Sequence, residues 1–134
     1  MEMEIVFPGG KKVDANYKGF NIKTDQSVFS GGDNSAPAPF DLFLASIGTC
    51  AGIYVLGFCQ QRGIPTKGIK IIQKMIMDQI KRKIGTISLE IQVPPEFPEQ
   101  YKDAVVRSAE LCAVKKHLHD PPKFDIYTKV VNGN

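Results

Sequence analysis

Residues 39–62 read PFDLFLASIGTCAGIYVLGFCQQR, and whatever surrounds this stretch decides the fold. A helix drawn through it is apolar on nearly every side, with one acid, Asp41, in its first turn and two of the chain's three cysteines, Cys50 and Cys59, further along. A helix that is hydrophobic all round must be wrapped by its own domain, by a partner chain or by lipid. Pro39 suits the first helical turn, where its missing N–H leaves nothing unpaired, and Gly63 followed by Pro65 marks the end. At 1.5 Å per residue the helix extends about 36 Å, long for a globular protein.

Lipid is one candidate, because about 20 apolar residues span a bilayer. Asp41 inside the run, dilution by Gly48, Gly52 and Gly57, and flanking amphipathic strands all favour a protein core instead. Gly48 and Gly52, four residues apart, leave room for another backbone on that side, and a helix this long in a small chain points to a dimer that buries it jointly.

Working outward, residues 2–7, 11–18 and 20–24 alternate polar and apolar side chains and are separated by Pro8-Gly9-Gly10 and Gly19, the pattern of an antiparallel meander. Residues 26–38 have no periodicity and are rich in Gly, Ser, Asn and Pro, so they form a loop. Beyond the long helix, residues 69–77 and 86–93 are strands joined through residues 78–85 as a hairpin. The first of these is apolar on both faces, as a central strand would be. From Glu99 to Leu118 Tyr101, Ala104, Val105, Ser108, Ala109 and Cys112 recur at helical spacing, with Lys115, Lys116 and His117 in the last turn and Asp120-Pro121-Pro122 as a stop. Residues 124–131 complete the order βββ-α-ββ-α-β. Helices and strands are segregated more than alternated, so the expected class is α+β with antiparallel sheets.

The whole chain, 134 residues with 43% apolar and 23% charged side chains, fits one domain, 1–134. Net charge is +3 and the basic residues do not cluster with aromatics, so no nucleic-acid partner is expected. The start, MEMEIVFPGG, has acids where a signal peptide carries positive charge, so a cytoplasmic location with no membrane attachment is expected. Three cysteines with neither a CxxC pair nor zinc-ligand spacing indicate no disulfide framework, no metal and no cofactor. His117 and His119 read as solvated helix-end residues.

Thiol chemistry remains. Cys50 lies in mid-helix beside Gly48, Ala51 and Gly52, with room around its sulfur, and Cys112 falls on the buried stripe of the second helix. A reactive thiol with a resolving partner is what a thiol peroxidase requires. Cys59, nine residues from Cys50 and so on the opposite side of the helix, reads as a small core residue. Nothing adjacent in sequence lowers the Cys50 pKa, whereas Cys112 has Lys115 and Lys116 one turn on. Free cysteines are also common simply as packing residues, and that reading stays open on spacing alone.

The string APAPFDLFLASIGTCAGIYVLGFC, followed about 60 residues later by ELCAVKKHL, resembles the OsmC/Ohr superfamily of osmotically inducible and organic hydroperoxide resistance proteins. The resemblance covers the whole element order. It implies an intertwined α+β homodimer, central helices packed inside wrapping sheets, and an active site at the subunit interface. It also implies thiol-dependent reduction of organic hydroperoxides in the oxidative-stress response, with Cys50 peroxidatic, Cys112 resolving and an external dithiol as reductant. The alternative is a non-peroxidase protein holding a small apolar ligand in a thiol-lined interfacial pocket. Where active members carry a glutamate ten residues before the first cysteine, this chain has Phe40. Where they carry an arginine in the N-terminal strands it has only Lys11, Lys12, Lys18 and Lys23. Where proline often follows the second cysteine it has Ala113.

Overall fold

The structure is a computed structural model that describes residues 1–133. Chain contacts divide it into two compact units, Met1–Thr49 and the remainder from Cys50, and the long helix runs through the boundary.

In the N-terminal unit β1 (Glu4–Gly9), β2 (Lys12–Tyr17) and β3 (Phe20–Ile22) form an antiparallel sheet in sequence order. The β2–β3 turn places Lys18 at φ 52° and Gly19 at φ 81°. Two successive left-handed residues make a primed turn, whose twist matches that of the strands it joins. After β3 the chain folds over one side chain. Asp25 is fully buried, and its carboxylate accepts hydrogen bonds from the Gln26, Asp33 and Ser35 N–H groups and from the Ser35 hydroxyl. Those donors hold its pKa at about 2, below the usual 3.8, with the Ser35 hydroxyl the largest contributor. The loop closes so tightly that a Cβ on Gly32 would collide with the Gln26 carbonyl, so only glycine fits there.

Helix α1 (Pro39–Gln61) matches the expected span to within one residue. Asp41 caps it by accepting the Ala38 N–H at 3.0 Å, the reach-back half of a capping box. By length and hydropathy α1 would serve as a membrane span, though such a helix is weak evidence for one, and 28% of its apolar window is buried within this chain.

In the C-terminal unit β4 (Lys70–Asp78) and β5 (Lys83–Gln92) form a two-stranded antiparallel ribbon, Lys70 opposite Gln92 and Asp78 opposite Lys83. The Asp78 carboxylate accepts the N–H groups of Ile80 and Lys81, which turns the chain. Ile71, Leu89 and Ile91 pack against a core of Ala51, Val55, Phe58, Cys59, Phe97, Val105 and Ala109. Burial of each large apolar side chain in it contributes about 1.5–3 kcal/mol. Phe58 is the pivot: Tyr101 meets it edge-on at 5.8 Å, and the Arg62 guanidinium lies over its ring at 3.7 Å.

The α+β class and the antiparallel sheets are as expected, and three details differ. Among the described residues β4 pairs with β5 alone and so lies at an edge, and Met75, Ile76 and Met77 at its far end are exposed. The segment expected as one helix from Glu99 to Leu118 is instead a 3-10 turn (Glu99–Tyr101), α2 (Lys102–Ala109) and α3 (Ala113–His119). Residues 124–131 alternate as a strand would but form none, and no segment among the described residues pairs with them. Hydrogen bonds along a ladder make a strand, and alternation alone does not supply them.

Candidate active site

The interruption between α2 and α3 shapes the site. Cys112 leaves the helical conformation, with φ −54° and ψ 126°, and becomes the residue ahead of α3. A new helix start creates N–H groups with no carbonyl one turn earlier to bond to. The Cys112 side chain makes no cap hydrogen bond to them. The sulfur of Cys50, on α1, takes that place: it accepts from the backbone N–H of Val114, from the side chain of Cys112 and from the N–H of Ala113. Partial burial of Cys50 opposes its ionisation, and the three donors outweigh it, Val114 most, so the thiol pKa lies below its ordinary value.

Cys112 is fully buried and Cys50 half-buried, and both are reduced. The structure therefore brings together the two cysteines that the sequence singles out. Cys50 has donors although none is near it in sequence: they are Cys112 and the amides at the start of α3. The signal missed is the break at Cys112. No Gly or Pro lies between Ala109 and Ala113 to announce it, so only tertiary structure reveals it.

α1 is tied to α2 as well. The Ser108 hydroxyl donates to the Tyr54 carbonyl at 3.1 Å. Cys59 takes no part in the pair. It is fully buried in the core, and desolvation, opposed weakly by Arg62, pushes its pKa up. The packing role expected for it fits this environment.

In the N-terminal unit Phe40 is 56% exposed and stacks on Phe43 at 5.5 Å. Asp41 is occupied as a cap. Lys12 pairs with Asp33 at 2.9 Å, and Lys18 lies over the Tyr17 ring at 5.1 Å. An open cavity of about 410 Å³ is lined by Glu2, Asn16, Tyr17, Lys18 and Phe20, with no cysteine in its wall. His117 Nδ1 lies 2.7 Å from the Ala113 carbonyl within α3, a local helix contact. Among the described residues no group of three His, Cys, Asp or Glu side chains is placed to hold a metal.

The model of one protein family, described as OsmC-like protein, matches residues 32–127, which include both cysteines and every element from the second half of the loop through α3. The chain belongs to the OsmC-like family. Solved structures agree on the fold of this OsmC-like chain. A Psychrobacter arcticus 273-4 protein, provisionally described as an osmotic stress induced and detoxification response protein, superposes with a TM-score of 0.70 at 20% identity, covering 85% of each chain. A second structure, described only as structural genomics, gives 0.65 at 19% identity over 90% of this chain and 91% of its own. No curated protein matches the OsmC-like sequence.

Proposed function

We propose that this OsmC-like protein is a thiol peroxidase that reduces organic hydroperoxides, with Cys50 attacking and Cys112 resolving. The observation that carries the reading is the Cys50 sulfur held by the Val114 and Ala113 N–H groups with Cys112 beside it. Family membership and the fold shared with a protein described as part of a detoxification response are in keeping with it.

In this reaction the Cys50 thiolate attacks the terminal oxygen of ROOH. The O–O bond breaks, an S–O bond forms, and the alkoxide leaves as ROH after taking a proton, so the peroxide is reduced and the sulfur becomes a sulfenic acid. Cys112 then loses its proton and attacks that sulfur. The S–S bond forms and water departs. An external dithiol returns two electrons and both protons to restore the pair.

The working form in this reading is a cytoplasmic homodimer. Phe40 and Ile53 on α1, at 56% and 59% exposure, and Phe124, Ile126 and Val130 beyond α3 present large apolar surface that a second copy would cover. The 1–134 chain then acts as one domain within that dimer.

The test is consumption of cumene hydroperoxide with dithiothreitol as reductant. Wild-type protein turns over and Cys50→Ser falls to the uncatalysed rate; equal rates in the two proteins rule the peroxidase out. The exposed Phe40–Phe43 pair, apolar where active relatives carry an acid, favours a second reading in which the protein binds a small apolar ligand without chemistry. Saturable binding of cumyl alcohol together with absent peroxide consumption would establish that alternative.

A further inference from the structure

We propose that Ser108 is a positioning residue for the Cys50–Cys112 pair, acting through the register of α2 against α1. Its hydroxyl reaches the Tyr54 carbonyl across 54 positions of sequence. Tyr54 stands four residues after Cys50, and Ser108 stands four residues before Cys112. The bond is thus a second rung beside the thiols, one helical turn from Cys50 along α1 and four positions ahead of Cys112, which follows the end of α2.

The rest of that seam is apolar. Ala51, Val55, Val105 and Ala109 are buried around the rung. Apolar packing is non-directional and resists axial sliding only through shape. Sliding by one residue displaces a helix by 1.5 Å, more than an N–H donor tolerates before its bond is lost. The amides of Ala113 and Val114 follow directly on Cys112, so their aim at the Cys50 sulfur depends on where α2 delivers the chain. A hydroxyl bonded to a fixed carbonyl sets that place. The Tyr54 carbonyl lies inside α1, where it also has its own helical partner, so removing the Ser108 hydroxyl orphans no acceptor and the fold is retained.

The inference rests on Cys50 being the reactive thiol, as read above, and not on the protein's consuming peroxide. The experiment compares full-length wild type, Ser108→Ala and Ser108→Thr in the rate of iodoacetamide alkylation against pH, with Cys50 followed by peptide mass. Removing the hydroxyl should move the Cys50 curve to higher pH and slow alkylation at neutral pH about threefold, equivalent to half a pKa unit. Ser108→Thr, which keeps a hydroxyl, should follow the wild-type curve, and far-UV circular dichroism should be the same for all three. An unmoved Cys50 curve in Ser108→Ala overturns the inference. So does a Ser108→Thr curve shifted as far as that of the alanine variant, because the effect would then be one of packing. A shift in Ser108→Ala, rescued by threonine, in a protein that consumes no peroxide would uphold the positioning role and discard the peroxidase reading.

Discussion

The Val114 amide and the Cys50 sulfur are hydrogen-bond partners: a donor left without a carbonyl in its own helix is satisfied by a side chain 64 positions earlier. One contact thereby completes a helix start and favours a thiolate.

The first consequence concerns pH. Cys50 has a folded-state pKa below its ordinary value of 9.0, so folding favours its anion. Its contribution to stability is therefore fully present above about pH 9 and is lost as pH falls through the lowered folded pKa. Urea midpoints measured from pH 6 to pH 9.5 should show wild type gaining on Cys50→Ser as pH rises. A constant difference between the two proteins across that range would contradict the amide contacts.

Cys112→Ser should separate the two chemical steps. With no resolving thiol, Cys50 consumes one equivalent of hydroperoxide and stops as the sulfenic acid, which dimedone traps and mass spectrometry locates. Multiple turnovers at the wild-type rate in this variant would remove Cys112 from the mechanism.

Cys59→Ser should do the reverse. Exchanging the thiol for a more strongly hydrated hydroxyl at this fully buried, apolar position costs about 1–3 kcal/mol of stability in a denaturant titration. The peroxide rate per folded molecule should not change. A lost rate with unchanged stability would give Cys59 a chemical role.

Asp25→Asn should loosen the loop in the N-terminal unit, because an amide presents an N–H₂ group where the carboxylate accepts from two amides and a hydroxyl through a single oxygen. Since the carboxyl pKa is lowered from 3.8 to about 2, its stabilisation is present above about pH 4 and disappears as pH falls through 2. Limited proteolysis should cut residues 26–35 faster in the variant at pH 7, and the difference from wild type should vanish near pH 2 when hydrogen exchange is followed in the same loop. Equal cleavage at pH 7 would mean that Asp25 does not hold the loop.

Local patterns carried the elements they encode. α1 announced both of its ends through Pro39 and Gly63, and the β4–β5 hairpin followed from alternation in residues 86–93 and the polar turn at Asp78. Both thiols were also legible, as cysteines on core-facing positions. What surrounds the reactive sulfur was not, because its donors come from residues 113 and 114 through a helix break without a breaker residue. Residues 124–131 show the opposite failure: their alternation is real, yet a strand is a property of two segments, and no segment among the described residues pairs with this one.

The short helix α3 has seven residues, none of them buried. Isolated helices below about 12–15 residues are marginal in water, so a peptide covering this segment should be coil. Its helicity is conferred by the chain around it, through the buried Cys112 at its head and the sulfur that receives its first amides. A helix this short and unburied does not hold on its own, so the order of α3 depends on the contacts at its head. Any probe of order placed on α3 thus reports whether the two cysteines have come together.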